Sequence, residues 1–344
     1  PPGPRPPRDE RKKHMGYVQT VLGPVAPESL GRVLSHEHLG ALVPGPWLSG
    51  GAADDRADLA AGAVRDLPEL GFGTIVDLSP YEVVGHDVTL LREVARRTGL
   101  HVVAGSAIYL EPYSPGWALS ASVDEMRERF VADATVGVGD TGVKVGIFGE
   151  QATGLNEITA HEEKCLRAAA RAAVATGLAL NTHTTHGTMA LEQVEILREE
   201  KMDPSRVVIG HLDINPDPDY LRAVLATGVN IAFDTLGKQF WDFVLAPLPE
   251  NPPEGEFGKR AYHRPDRARL DMLAGLVRDG YADRILLSMD LTGAEAYLNP
   301  RTHGRLGYSY LGREIVPGLT RLGVPPEAID QMLAANPARL LTVG

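Results

Sequence analysis

Short apolar runs alternate with amphipathic runs along nearly the whole chain. The apolar runs are RVLSHEH (32–38), GTIVDLS (73–79), HVVAGSAIY (101–109), GVKVGIF (142–148), LALNTHT (178–184), RVVIGHL (206–212), NIAFDT (230–235) and RILLSMD (284–290). Most are β-branched or leucine-rich on both faces, as strands covered on both sides should be. The amphipathic runs include 58–70, 86–99, 122–135, 159–177 and 264–280, and several end in glycine, a usual helix stop. Gly71, Gly99, Gly177, Gly228 and Gly280 each sit a few residues before the next apolar run. Eight strands, each followed by a helix, predict an α/β fold: a (β/α)8 TIM barrel, with 17–344 as one domain. An open doubly wound sheet is the rival, but no glycine-rich phosphate fingerprint follows the first strand. The Val-rich lead at 18–33 reads as a hairpin or lid over the barrel floor.

Two stretches break the alternation. Lys238 to Arg264 is long and proline-rich, follows the seventh strand and should arch over the mouth of the barrel. Its Phe240, Trp241 and Phe243 could wall a substrate's acyl or aromatic group, or simply pack the loop onto the barrel. Leu291 to Tyr310, after the eighth strand, carries Tyr297, His303, Tyr308 and Tyr310.

Composition narrows the classes. A chain of 344 residues with 43% hydrophobic content suits one barrel with loops. A net charge of −11 argues against nucleic-acid binding, which selects for clustered Lys and Arg. Cys165 is the single cysteine, so no intrachain disulfide forms and a reducing, cytoplasmic setting is expected. Lying in a helical run, it reads as a packing residue and not a nucleophile. No apolar run approaches the ~20 residues that span a bilayer, so no membrane role is expected. Residues 1–16 are rich in proline and charge, lack a secretory h-region, and read as a disordered tail or one appended ahead of Met15.

The chemistry sits at the ends of the strands. In His36-Glu37-His38, alternation on a strand points both imidazoles into the barrel and Glu37 away. Lys144, inside GVKVGIF, is costly to bury charged. It could snorkel outward or pair with Glu150; alternatively it is carboxylated by CO2, and the carbamate bridges two metals. His183 and His211 end neighbouring strands, where a lone histidine is more often a hydrogen-bonded core residue than a ligand. Asp290 closes the last strand and could merely cap the following turn. His186 is placed outside the site. A barrel would bring His36, His38, Lys144, His183, His211 and Asp290 to one mouth, a constellation suited to a two-metal hydrolytic site.

From about Leu22 to Val343 the chain resembles the phosphotriesterase family of the amidohydrolase superfamily. The carriers are LSHEHL, TIVDLS, VAGSAIY, GVKVGIFGE, NTHTTHG, VVIGHLD, IAFDTLG, LLSMD and NPARLL, in the family's order. The resemblance implies that His36, His38 and Asp290 hold a buried metal, and His183 and His211 a more exposed one. Carboxylated Lys144 and a hydroxide would bridge two divalent ions, zinc foremost, with manganese, cobalt or iron as alternatives. The bridging hydroxide would attack the substrate, with Asp290 taking its proton. Tyr109 matches a tyrosine that lactonase-like members present to the substrate ring; otherwise it is a core aromatic.

The chain departs from the family's phosphotriesterases at two relay positions. Ile214 stands where an aspartate is usual, with Asp213 one residue earlier, and Thr235 follows Asp234 where a histidine or arginine is usual. The expectation is therefore hydrolysis of a lactone or carboxylic ester, a small-molecule substrate, with weak incidental phosphotriester turnover. Hydrolysis of an amide or another specialised metabolite, and a catalytically silent metal-binding barrel, are the competing readings. The resemblance also implies a homodimer.

Overall fold

The computed structural model describes residues 16–40, 56–81, 86–238, 264–293, 296 and 307–344. The expected tail, most of the loop after the seventh barrel strand with Phe240, Trp241 and Phe243, and Tyr297 and His303 lie outside the described residues.

A hairpin of β1 (Tyr17–Thr20) and β2 (Gly23–Val25) pairs with the C-terminal β11 (Thr342–Val343) in a small antiparallel sheet. Eight parallel strands follow the hairpin: β3 (Arg32–Glu37), β4 (Phe72–Asp77), β5 (His101–Ser106), β6 (Ile147–Thr153), β7 (Leu180–Thr184), β8 (Val207–Ile209), β9 (Asn230–Phe233) and β10 (Ile285–Leu287). They pair in sequence order. Backbone bonds between β3 and the segment after β10 bring the ends together: Asp290 N–H to His36 O at 3.0 Å and His38 N–H to Leu291 O at 2.9 Å. With helices around it, this is the expected (β/α)8 barrel.

The two-sided apolar pattern has a direct structural counterpart. One buried cluster takes Val33, Val76, Val103, Ile147, Ala179, Val208, Ala232 and Leu286, one from each barrel strand or its lead. It fills the barrel interior at floor level, and Val18, Leu340 and Leu341 join it from below. Their neighbours on the opposite face, such as Leu34, Ile75, Val102, Phe148, Leu180 and Ile231, pack against the helices in a second cluster. The helices begin where the polar pattern suggests. Ser122 and Thr159 form capping boxes with Glu125 and Glu162, and Gly99 and Gly177 end their helices at φ 74° and 76°.

One strand is displaced from its expected position. The run 142–148 reads as the fourth barrel strand, but the strand is Ile147–Thr153. Ile147 is the residue that fills the floor layer, so 142–146 forms the approach beneath the barrel. There Gly146 lies so close to the hairpin that a Cβ would strike the Gln19 carbonyl oxygen. Lys144 is half-buried on this approach, below the floor and away from the mouth. The strand begins and ends five residues later than expected, and Glu150, not Lys144, falls near its mouth end.

Among the described residues no helix is long and apolar enough to cross a membrane.

Candidate metal centre

The side chains that converge at the mouth follow one rule of position. His36, Glu150, His183, His211 and Asp290 come three or four residues after the floor residues Val33, Ile147, Ala179, Val208 and Leu286. Donor atoms of His36, Glu150, His211 and Asp290 all lie within 4.8 Å of one another. Glu150 is at the centre. Its Oε2 is 3.1 Å from His183 Nδ1, 3.2 Å from His211 Nε2 and 3.4 Å from His36 Nε2, while its Oε1 is 3.4 Å from His38 Nε2. Asp290 Oδ1 is 2.8 Å from His38 Nε2 and 3.7 Å from His36 Nε2.

The imidazoles are oriented from behind. Asp234, fully buried just past β9, accepts from His36 Nδ1 at 2.7 Å, His211 Nδ1 at 3.0 Å and the His211 backbone N–H at 2.8 Å. With Nδ1 donating to a carboxylate, each ring presents a lone pair on Nε2, as a metal ligand requires. Glu37 points away from the cluster, as alternation predicted. It accepts from Ser288 Oγ at 2.7 Å, Met289 N–H at 3.1 Å and Leu291 N–H at 2.8 Å, bracing the turn that carries Asp290. His211 and Asp290 hold left-handed backbone, φ 59° and 52°, which costs non-glycine residues energy and tends to gather at functional sites. Two glycines permit the crowding. A Cβ on Gly149, next to Glu150, would lie 2.7 Å from Asn181 Cβ. One on Gly210, next to His211, would strike the Thr182 carbonyl oxygen.

Electrostatics fit a cation. Burial alone would lower the pKa of His36 and His38, but the carboxylates around them outweigh it and push them up to about 9 and about 10. Burial would raise Glu150, yet His36 and His183 hold it well below the usual carboxylate range. Asp290 is lowered too, with burial opposed chiefly by Lys238 and the His38 hydrogen bond. Without a metal, then, protons on histidine balance the carboxylates, and a metal would replace those protons. His36 Nε2 is the clearest sign. It is fully buried and has no hydrogen-bond partner among the described residues, although its ring is fixed by Asp234 and aimed at Glu150 and Asp290. Buried donors and acceptors are almost always satisfied. An orphaned imidazole nitrogen within a set of nitrogen and carboxylate donors suits a divalent ion.

Of the residues expected at the mouth, His36, His38, His183, His211 and Asp290 come together and Lys144 does not. Lys144 is expected as a carboxylated bridge, but the carboxylate found among the imidazoles is that of Glu150. Tyr109 is half-buried beside the cluster, its ring edge-on to His183 with centroids 5.0 Å apart. Asp213 is turned away from the mouth, bonded to Thr235 Oγ1 at 2.7 Å and Arg269 Nη1 at 2.9 Å. Cys165 is buried 3.4 Å from His161 Nε2, and burial pushes its thiol up to about 12, so it is no nucleophile. Sequence reasoning missed Glu150, Asp234 and Lys238, whose ammonium contacts Asp290 Oδ2. The floor-residue spacing points to Glu150 only once the closed barrel shows that Ile147 belongs to the floor.

Residues 16–341 match the sequence pattern of the phosphotriesterase family. The phosphotriesterase homology protein of Escherichia coli is 30% identical over 309 residues, covering 90% of this chain and 97% of that protein. The N-acetyltaurine hydrolase of Xenopus tropicalis is 27% identical over 359 residues, covering 95% and 98%. Among solved structures, a mutant of a Deinococcus radiodurans PTE-like lactonase superposes with a TM-score of 0.79 at 31% identity, covering 94% and 99%. Fold, mouth residues and sequence agree, and the chain belongs to the phosphotriesterase family as one of its hydrolases.

Proposed function

We propose that the protein is a binuclear metal-dependent hydrolase of a lactone or carboxylic ester, with Glu150 as the bridging carboxylate. The observation that carries this reading is the central place of Glu150: Oε1 faces His38, and Oε2 faces His183, His211 and, at 3.4 Å, His36. A carboxylate with imidazoles against both of its oxygens is suited to two ions. His36, His38 and Asp290 would hold one, and His183 and His211 the other. Such ions supply Lewis acidity and lower the pKa of water toward neutrality. Zinc is favoured by the imidazole and carboxylate donors, and manganese, cobalt or iron would also be accepted.

The chain's own residues do the rest. Asp234 fixes the tautomer of two ligands. Asp290, less buried than His36 (side chain 16% against 0% exposed), stands where a proton can be received and passed to solvent. Tyr109, half-buried and edge-on to His183, would be placed to present its hydroxyl to a lactone. Weak phosphotriester turnover follows from Asp213, which is committed to Arg269 and Thr235 and cannot carry protons outward.

A second reading, amide hydrolysis, is favoured by the similarity to N-acetyltaurine hydrolase over 95% of the chain. The test is hydrolysis by zinc-, manganese- and cobalt-loaded protein of lactones, esters, N-acetyl amides and an organophosphate, followed with a pH indicator. Lactone or ester turnover lost on chelation supports the proposal. Turnover confined to amides selects the second reading, and silence on every bond class overturns both.

A further inference from the structure

The turn after β9, residues 234–238, reaches the cluster at both ends. At its start Asp234 grips His36 and His211. At its end the Lys238 ammonium, on a side chain only 6% exposed, pairs with Asp290 Oδ2. The Asp290 oxygens are thereby divided: Oδ2 to Lys238, and Oδ1 toward His38 and His36.

The turn is held rigidly from outside. Thr235 donates its N–H and hydroxyl to Asp213 at 3.3 and 2.7 Å. Its carbonyl accepts from Arg269, which is fully buried and also paired with Asp266. Asp266 in turn accepts the Gly237 N–H at 3.0 Å and the Tyr310 hydroxyl at 2.6 Å. Gly237, at φ 93°, lies against the Tyr310 ring, where a Cβ would come within 3.0 Å. The Lys238 N–H closes the turn on Thr235 O at 3.2 Å.

We propose that Lys238 is a positioning residue: it fixes Asp290 by one oxygen so that the other is presented to the metal site, and the turn 234–238 orients His36, His211 and Asp290 as one unit. This rests on the metal-hydrolase reading above. The rival role, contact with an anionic group on the substrate, is less favoured because the ammonium is already directed at Asp290.

The test is cobalt titration of the wild type, Lys238→Met, Lys238→Arg and Tyr310→Phe, read by visible d–d absorption, with kcat and KM on a neutral lactone and an anionic N-acetyl amide. Lys238→Met should alter the position or intensity of the cobalt bands. It should also lower kcat by about tenfold or more on whichever substrate is turned over, with KM changed by less than about twofold. Lys238→Arg should restore part of both. Tyr310→Phe, which leaves the ion pair in place and loosens the turn, should shift the bands less but in the same direction. A wild-type cobalt spectrum in Lys238→Met overturns the proposal, and a KM increase confined to the anionic substrate would then assign Lys238 to substrate binding. A wild type that takes up no cobalt removes the metal-hydrolase reading itself, and the role of Lys238 with it.

Discussion

Replacing Asp234 by asparagine changes almost no volume and removes one charge, yet it should disable a metal ligand. The carboxylate accepts from His36 Nδ1 at 2.7 Å through Oδ2, and from His211 Nδ1 at 3.0 Å and its backbone N–H at 2.8 Å through Oδ1. An amide keeps one acceptor and turns the other into a donor. With its oxygen toward His211, its NH2 faces His36 Nδ1, and that ring must move its proton to Nε2. The nitrogen aimed at Glu150 and Asp290 then carries a hydrogen and cannot ligate. The flipped amide inflicts the same fault on His211. Losing such an orienting carboxylate costs about 10- to 100-fold in metal affinity, or about 1.4–2.7 kcal/mol. The assay is competition with a chelator, with proton-coupled nitrogen NMR of the imidazoles reporting the tautomer. Wild-type affinity with both rings still protonated at Nδ1 would refute the argument.

Glu150→Gln should lose at least one metal and most activity, whereas Lys144→Met should keep both; elemental analysis with a rate assay decides, and the reverse pattern would restore the lysine bridge. For the metal-free protein, His36 and His38 have folded pKa values raised to about 9 and about 10, so their stabilisation is full below about 6.5 and is lost as pH rises through those values. Its denaturation midpoint should fall between pH 7 and 10, and loading with zinc should flatten that decline; a flat metal-free profile would contradict it. Tyr109→Phe should leave metal content unchanged and cost about fivefold in kcat/KM on a lactone, the value of one hydrogen bond; unchanged kinetics would reduce Tyr109 to a packing role.

The barrel was legible because each strand must be apolar on both faces, and because the histidines and Asp290 stand out at the ends of apolar runs. Glu150 was not legible for the same reason. GVKVGIF looks like a whole strand with a lysine inside it, and GEQATG, polar and bounded by glycines, looks like the loop that follows. Only the floor residue Ile147 sets the register, and its place in the layer is a property of the closed barrel. Asp234 lies one residue before the end of the NIAFDT run, but its role depends on two rings brought from β3 and the end of β8. Lys238 sits in a turn whose shape comes from Asp213, Arg269, Asp266 and Tyr310, which periodicity does not connect.

The central claim is that a carboxylate from Glu150, and not a modified Lys144, lies between two metal ions. Anomalous X-ray scattering at the zinc edge from crystals of the zinc-loaded protein tests it directly. The account predicts two peaks, one on either side of the Glu150 carboxylate and among His36, His38, His183, His211 and Asp290, with Lys144 unmodified below the barrel floor. Peaks joined by a carboxylated Lys144, or no peaks at the mouth, would contradict it.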